Sequence, residues 1–168
     1  MIHFRHRRML LALGLCCLSL QTAAQDHGSH ARASEPVAPS PLSIPLDAET
    51  RASLPRIAVS TNAHGRTVNC EGVGLSDLLR HAGGLPAELH GPALASYVLV
   101  TSRDGYRVVY SLAELDPSLS SHRVVLAEQC DGQPLSEEEG PLWLIAAGES
   151  QSVRWVRQVK SITVVAAP

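Results

Sequence analysis

The stretch Leu126–Arg157, LAEQCDGQPLSEEEGPLWLIAAGESQSVRWVR, decides how this chain is read. Five pieces follow one another in it. Leu126-Ala127 closes an apolar run. Asp131-Gly132-Gln133-Pro134-Leu135 opens with Asp-Gly, a turn dipeptide. Gly140-Pro141 leads a second apolar run, Leu142–Gly148, and Arg154-Trp155 sets a cation beside an aromatic ring. The pattern is strand, turn, strand and then a basic aromatic corner.

Outward from that stretch, short strand-like runs are broken by shorter helical ones. Val124–Ala127, Leu142–Ala146 and Ser161–Val165 read as strands. Tyr97–Thr101 and Tyr106–Ser111 are β-rich and meet across Ser102-Arg103-Asp104-Gly105, a hairpin. In the second of these, Tyr106, Val108 and Tyr110 alternate with Arg107, Val109 and Ser111, which makes one face mostly apolar. Arg56–Ser60 and Arg66–Cys70 flank Asn62-Ala63-His64-Gly65, a further hairpin. Leu75, Leu78, Leu79 and Ala82 share one helical face, and Gly83-Gly84 ends that helix. Leu112–Leu115 is a helical turn stopped by Asp116-Pro117. Strands interrupted by isolated short helices predict an α+β fold, a mixed, barrel-like β-sheet with a few short helices, and not a doubly wound parallel sheet.

The N-terminal part of the 168-residue chain reads differently. Arg5, Arg7 and Arg8 precede the apolar run Met9–Leu20, and Thr22-Ala23-Ala24 offers small residues for cleavage, so residues 1–24 are expected to be a secretory signal. The apolar run falls short of the ~20 residues that cross a bilayer, so no membrane anchor is expected after cleavage. Arg7-Arg8 brushes against a twin-arginine signal, but His6 and the missing Lys favour ordinary export. The expected location is periplasmic or secreted. Gln25–Leu46 is rich in Pro, Ser and Ala without a period and reads as a disordered linker. Residues 47–168 are the expected folded domain.

Removing residues 1–24 takes away three Arg and no acid, leaving 11 basic against 16 acidic residues. No basic stripe is interleaved with aromatics, which excludes nucleic acid as the expected partner. Two cysteines remain, Cys70 and Cys130. In an exported chain they are a disulfide, two buried free thiols, or one metal ligand (Cys70) and a bystander.

The five pieces of Leu126–Arg157 resemble the C-terminal signature of the oxidoreductase molybdopterin-binding domain, the fold of the sulfite oxidases. Gly72-Val73-Gly74-Leu75-Ser76-Asp77-Leu78-Leu79 is similar to that family's Gly-Val-x-Leu-x-Asp-Leu-Leu helix start. Tyr97–Leu115 resembles its strand, Asp-Gly-Tyr turn and strand. The resemblance implies an α+β fold with a pterin groove at one end of the sheet, and it assigns Arg154 and Ser152 to the pterin-contacting loop. It also implies a metal-binding Cys in a Cys-x-Gly-Asn-type segment, well upstream of the Gly-Val-x-Leu helix. The nearest counterpart here, Val59-Ser60-Thr61-Asn62, has no thiol, and Cys70 lies only two residues before Gly72. Trp143 stands where the sulfite oxidases often carry Arg, and Glu139-Gly140 where they carry His-Gly. Arg154, Arg157 and Lys160 remain as cations for an anionic cofactor.

Two functions are therefore open. One is a cofactor-free binding or accessory module on this scaffold. The alternative is a small periplasmic molybdopterin-dependent oxidoreductase that transfers oxygen atoms, with Cys70 as its conceivable ligand. The cofactor-free module is the expectation, and the partner in either case is a small molecule or a redox protein. Lesser constellations carry less. Gln25-Asp26-His27 could chelate copper or nickel once cleavage frees its amine. Glu137–Glu139 reads as a solvated turn, and His64, His81, His90 and His122 show no ligand spacing. Trp143 and Trp155 read as core and groove-lining residues.

Overall fold

The computed structural model describes residues 40–63 and 65–167. The expected signal sequence, the Gln25-Asp26-His27 tripeptide, most of the linker and His64 lie outside these residues. In chain order the elements are β1 (Leu42–Ser43), α1 (Ala48–Ala52), β2 (Arg56–Ala63), β3 (Arg66–Gly74), α2 (Leu75–His81), β4 (Tyr97–Ser102), β5 (Arg107–Ser111), α3 (Leu112–Leu115), β6 (Arg123–Cys130), β7 (Gln133–Pro134), β8 (Trp143–Ala147) and β9 (Val159–Val165). Single 3-10 turns cover Gly91–Ala95 and Ser152–Arg154. This is the α+β class expected from the pattern, and every strand pair named is antiparallel.

Two sheets carry the core. One has the order β1-β9-β4-β5. In the other β2 pairs β3 and β3 pairs β6, while β7 and β8 both pair β6. Val124–Ala127 of β6 and Trp143–Ala146 of β8 are buried at every position, so these strands are covered on both faces and read as continuous apolar runs. Leu75, Leu78 and Leu79 of α2 supply part of that cover and are fully buried. The helix stops at Gly83, whose φ of 72° lets Gly84 N donate to Leu79 O at 2.7 Å.

Two tight places explain particular residues. Between β3 and β6 the register slips at Glu71/Gly72, and a Cβ on Gly72 would lie 1.9 Å from the Leu126 carbonyl oxygen. Only glycine permits that approach. Between β6 and β7, Asp131 (φ 50°) and Gly132 (φ 73°) form a two-residue reversal with the backbone sign that a twisted hairpin needs. Asp131 Oδ1 accepts from Asn69 N at 2.9 Å, which ties this turn back onto β3.

Two boundaries differ from the sequence reading. Leu42 and Ser43, taken with the linker, pair with Val164 and Thr163, and Ile44 is 3% exposed. The folded unit therefore starts before Asp47, because a partner strand 120 residues away supplies hydrogen bonds that local composition does not reveal. Tyr106 falls outside β5 and is exposed, while Val108 and Tyr110 face the core. The reversal consumes residues through Tyr106 before pairing resumes at Arg107.

Candidate functional site

The β4–β5 reversal and the segment after β8 enclose a groove of about 270 Å³, lined by Ser102, Asp104, Tyr106, Trp143, Ser152, Trp155 and Arg157. Its second wall is fixed by main-chain pairing, since Leu144 and Val156 exchange both hydrogen bonds, at 2.8 and 3.0 Å. Trp143 and Trp155 meet edge to face with centroids 5.6 Å apart, a favourable ring geometry. Trp155 Nε1 donates to the Ala146 carbonyl at 3.0 Å. Trp143 Nε1 is buried without a hydrogen-bond partner among the described residues. The Arg157 guanidinium lies 5.8 Å from the Trp143 ring centroid and pairs with Glu138 at 2.7 Å.

The opposite wall is built by a short acidic turn. Asp104 Oδ1 accepts from Ser102 Oγ and from Tyr106 N, the latter at 2.9 Å. The Ser102 hydroxyl, and then the Tyr106 amide, hold its carboxyl below the usual carboxylate range. The Tyr106 hydroxyl donates to the Val153 carbonyl and so ties the reversal to the 3-10 turn. Of the residues singled out in the sequence, Ser152, Arg157 and both tryptophans thus come together here. Asp104 was not singled out for this role, although the Asp-Gly-Tyr turn that carries it was.

Arg154 is not among the groove-lining residues. Its guanidinium bridges Glu149 and Glu114, the latter at 3.3 Å, and lies over the Tyr110 ring. Glu114 is held for this by a capping box, in which Ser111 N donates to Glu114 Oε1 at 2.7 Å and Glu114 N donates to Ser111 Oγ at 3.1 Å. His122 completes the cluster, with Nδ1 3.8 Å from Glu114 and Nε2 3.4 Å from Glu149. Burial works against the charge on Arg154, but the two carboxylates outweigh it and raise its pKa. Burial, followed by Glu149, pushes the Tyr110 hydroxyl up as well, so it stays a donor to Arg154 O at 2.6 Å. No local sequence signal links positions 114, 122, 149 and 154, which is why this cluster escaped the sequence reading. Lys160 is exposed on β9.

The role of Cys70 as a metal ligand gives way to the disulfide. Cys70 and Cys130 face each other in the β3–β6 ladder and their sulfurs are bonded. A sulfur bonded to sulfur carries no thiolate charge to offer a metal. Neither cysteine lines the groove. Among the described residues no cluster of three or more His, Cys, Asp or Glu side chains has metal-holding geometry, and no helix is long and apolar enough to cross a membrane.

No curated protein matches this chain in a sequence comparison. The family model described as oxidoreductase molybdopterin binding domain matches residues 49–168, from α1 through every later strand. With the fold, the Gly72–Leu79 helix start and the Arg154-Trp155 corner in agreement with that match, the chain belongs to the oxidoreductase molybdopterin-binding domain family.

Proposed function

We propose that this chain is an exported, cofactor-free binding module that keeps the scaffold of its oxidoreductase family and takes a small molecule in the Trp143–Trp155 groove. One observation carries the reading: no sulfur borders the groove, and the two cysteines of the described residues are bonded to each other. Thiolate-held molybdenum needs a deprotonated sulfur at the groove. The donor set does not fit that requirement, since it consists of hydroxyls, indoles, one carboxylate and a guanidinium already paired with Glu138. Arg154, which the family resemblance gives to the pterin phosphate, is engaged by Glu114 and Glu149. Export rests on the basic and apolar segments of residues 1–24 and agrees with a disulfide, a bond that persists in oxidising compartments.

The family match favours a second reading, a periplasmic molybdopterin-dependent oxidoreductase in which Ser152 and Arg154 would hold the pterin. The two separate cleanly. Protein purified through its native export route is assayed for molybdenum by elemental analysis and for pterin by fluorescence after oxidation. The module reading expects neither. Stoichiometric molybdenum overturns it.

A further inference from the structure

We infer that the outer edge of β2, Arg56–Ala63, is a docking surface for a second copy of this chain, with the two β2 strands paired antiparallel and Val59 opposite Val59.

The main-chain direction of β2 follows from the ladder beside it. Asp131 N donates to Asn69 O at 2.7 Å, one residue along from the facing pair Cys70 and Cys130. Asn69 therefore spends its carbonyl on the β6 side, and hydrogen-bonding direction alternates along a strand. Its neighbour in β2, Ser60, turns its own amide and carbonyl out of the sheet. The β2–β3 register runs without a shift, so Arg56, Ala58 and Asn62 point the same way as Ser60. All four side chains are exposed, and among the described residues nothing takes up their outward main-chain groups. The other sheet edges are closed. In β5, Val109 O accepts from Arg154 at 3.4 Å and Ser111 N donates to Glu114 at 2.7 Å. In β8, Leu144 is bonded to Val156. β7 carries Pro134, and β1 is only two residues long. From Ile57 to Ala63, β2 has no charge, proline or bulge, the devices that keep an edge from pairing.

The sequence of β2 decides the occupant. A two-fold antiparallel pair must set outward residues against outward residues. With Val59 opposite Val59, Ala58 meets Ser60 and Arg56 meets Asn62, so every outward residue finds a partner. The exposed face of the joint is then small or polar. Its one charge, Arg56, pairs with Glu128 of its own chain and meets an amide side chain, not its own copy. On the other face Ile57 meets Thr61 on either side of the Val59 pair. These are β-branched residues, the kind that packs best across strands. Ile57 and Thr61 are half-buried in the single chain and are covered further in the pair. One strand a side is a small contact, so a dissociation constant on the order of 100 μM is expected.

Full-length protein from the export route is sedimented at concentrations from about 20 μM to about 1 mM, and amide exchange is read by NMR on the same samples. The average mass should rise towards that of two chains. Exchange at the amides of Ala58, Ser60 and Asn62 should slow as concentration rises. Val59 and Thr61, whose amides point into the β3 ladder, should be slow throughout. Ser60→Pro removes an outward amide and no ladder bond, as an edge strand tolerates. Ala58→Lys keeps the backbone and puts a charge at the rung facing Ser60 of the second copy. Each should weaken the dimer at least about tenfold. A chain still monomeric at about 1 mM overturns the inference, even if its edge proves to take an unrelated peptide. A dimer that leaves those three amides unchanged overturns it too, as does a folded Ser60→Pro or Ala58→Lys protein that dimerises like the wild type.

Discussion

The guanidinium of Arg154 lies 4.5 Å from the centroid of the Tyr110 ring, while the Tyr110 hydroxyl donates back to the Arg154 carbonyl at 2.6 Å. Each residue thus holds the other at two points, and the 3-10 turn that carries Ser152 is locked to β5. Replacing Arg154 by Ala removes the stack and leaves Glu114 and Glu149 facing each other beside His122. The expected loss is about 2 kcal/mol, moderated because the guanidinium keeps 34% of its surface in solvent. Arg154→Lys should recover only part of it, since an ammonium cannot fork between two carboxylates. Urea unfolding of the three proteins measures both.

The Cys70–Cys130 bond closes a 60-residue span. On the chain-entropy account, its removal destabilises the fold by about 4 kcal/mol. The double variant Cys70→Ala/Cys130→Ala should show that loss in the urea midpoint, and added reductant should have no further effect on it. A thiol count on the unreduced wild-type protein should find neither Cys70 nor Cys130 reactive.

Gly72→Ala tests the close approach of β3 to β6. Because the obstacle is the Leu126 carbonyl oxygen and not the tip of a mobile side chain, the strands must separate. About 3 kcal/mol of stability should be lost. The same substitution at Gly132 meets no atom but opposes a φ of 73°, and is expected to cost less.

Acid stability should depend on Asp116, whose side chain is fully buried. The Ser118 amide at 2.8 Å lowers its pKa first, and Arg80 at 3.2 Å adds to the effect against the opposing cost of burial. A carboxyl depressed in the folded state stabilises above its unfolded value and ceases to do so as pH falls through the folded one. The stability difference between wild type and Asp116→Asn should therefore be largest near neutrality and shrink below the ordinary value of 3.8. Urea midpoints at about pH 7 and about pH 3 give the comparison.

What the sequence made legible was local. Asn62–Gly65, Ser102–Gly105 and Asp131-Gly132 announce their reversals, and Leu75, Leu78 and Leu79 announce a buried helical face. Asp47 carried a signal for α1 that the sequence reading left unused, because an Asp three residues ahead of Thr50 can cap a helix, and its Oδ1 accepts from Thr50 N at 2.8 Å. What stayed hidden was long-range. Leu42 is apolar in a Pro/Ser run, and only β9 makes it part of a sheet. Arg154 sits in a segment that family resemblance ties to a phosphate, and only the folded chain brings Glu114 beside it. The groove lay between these cases. Trp143 and Trp155 were recognisable as its lining, whereas the role of Asp104 depended on which of its two oxygens the turn would occupy.

The bond between β3 and β6 has a further consequence for handling the protein. It staples the chain on either side of α2, the β4–β5 hairpin and α3, including the Leu119 turn, where that side chain is 54% exposed. A protease that cuts anywhere in 71–129 would leave two fragments that still migrate as one molecule. They would part only under thiol, so an intact band on a non-reducing gel is no guarantee of an uncut chain.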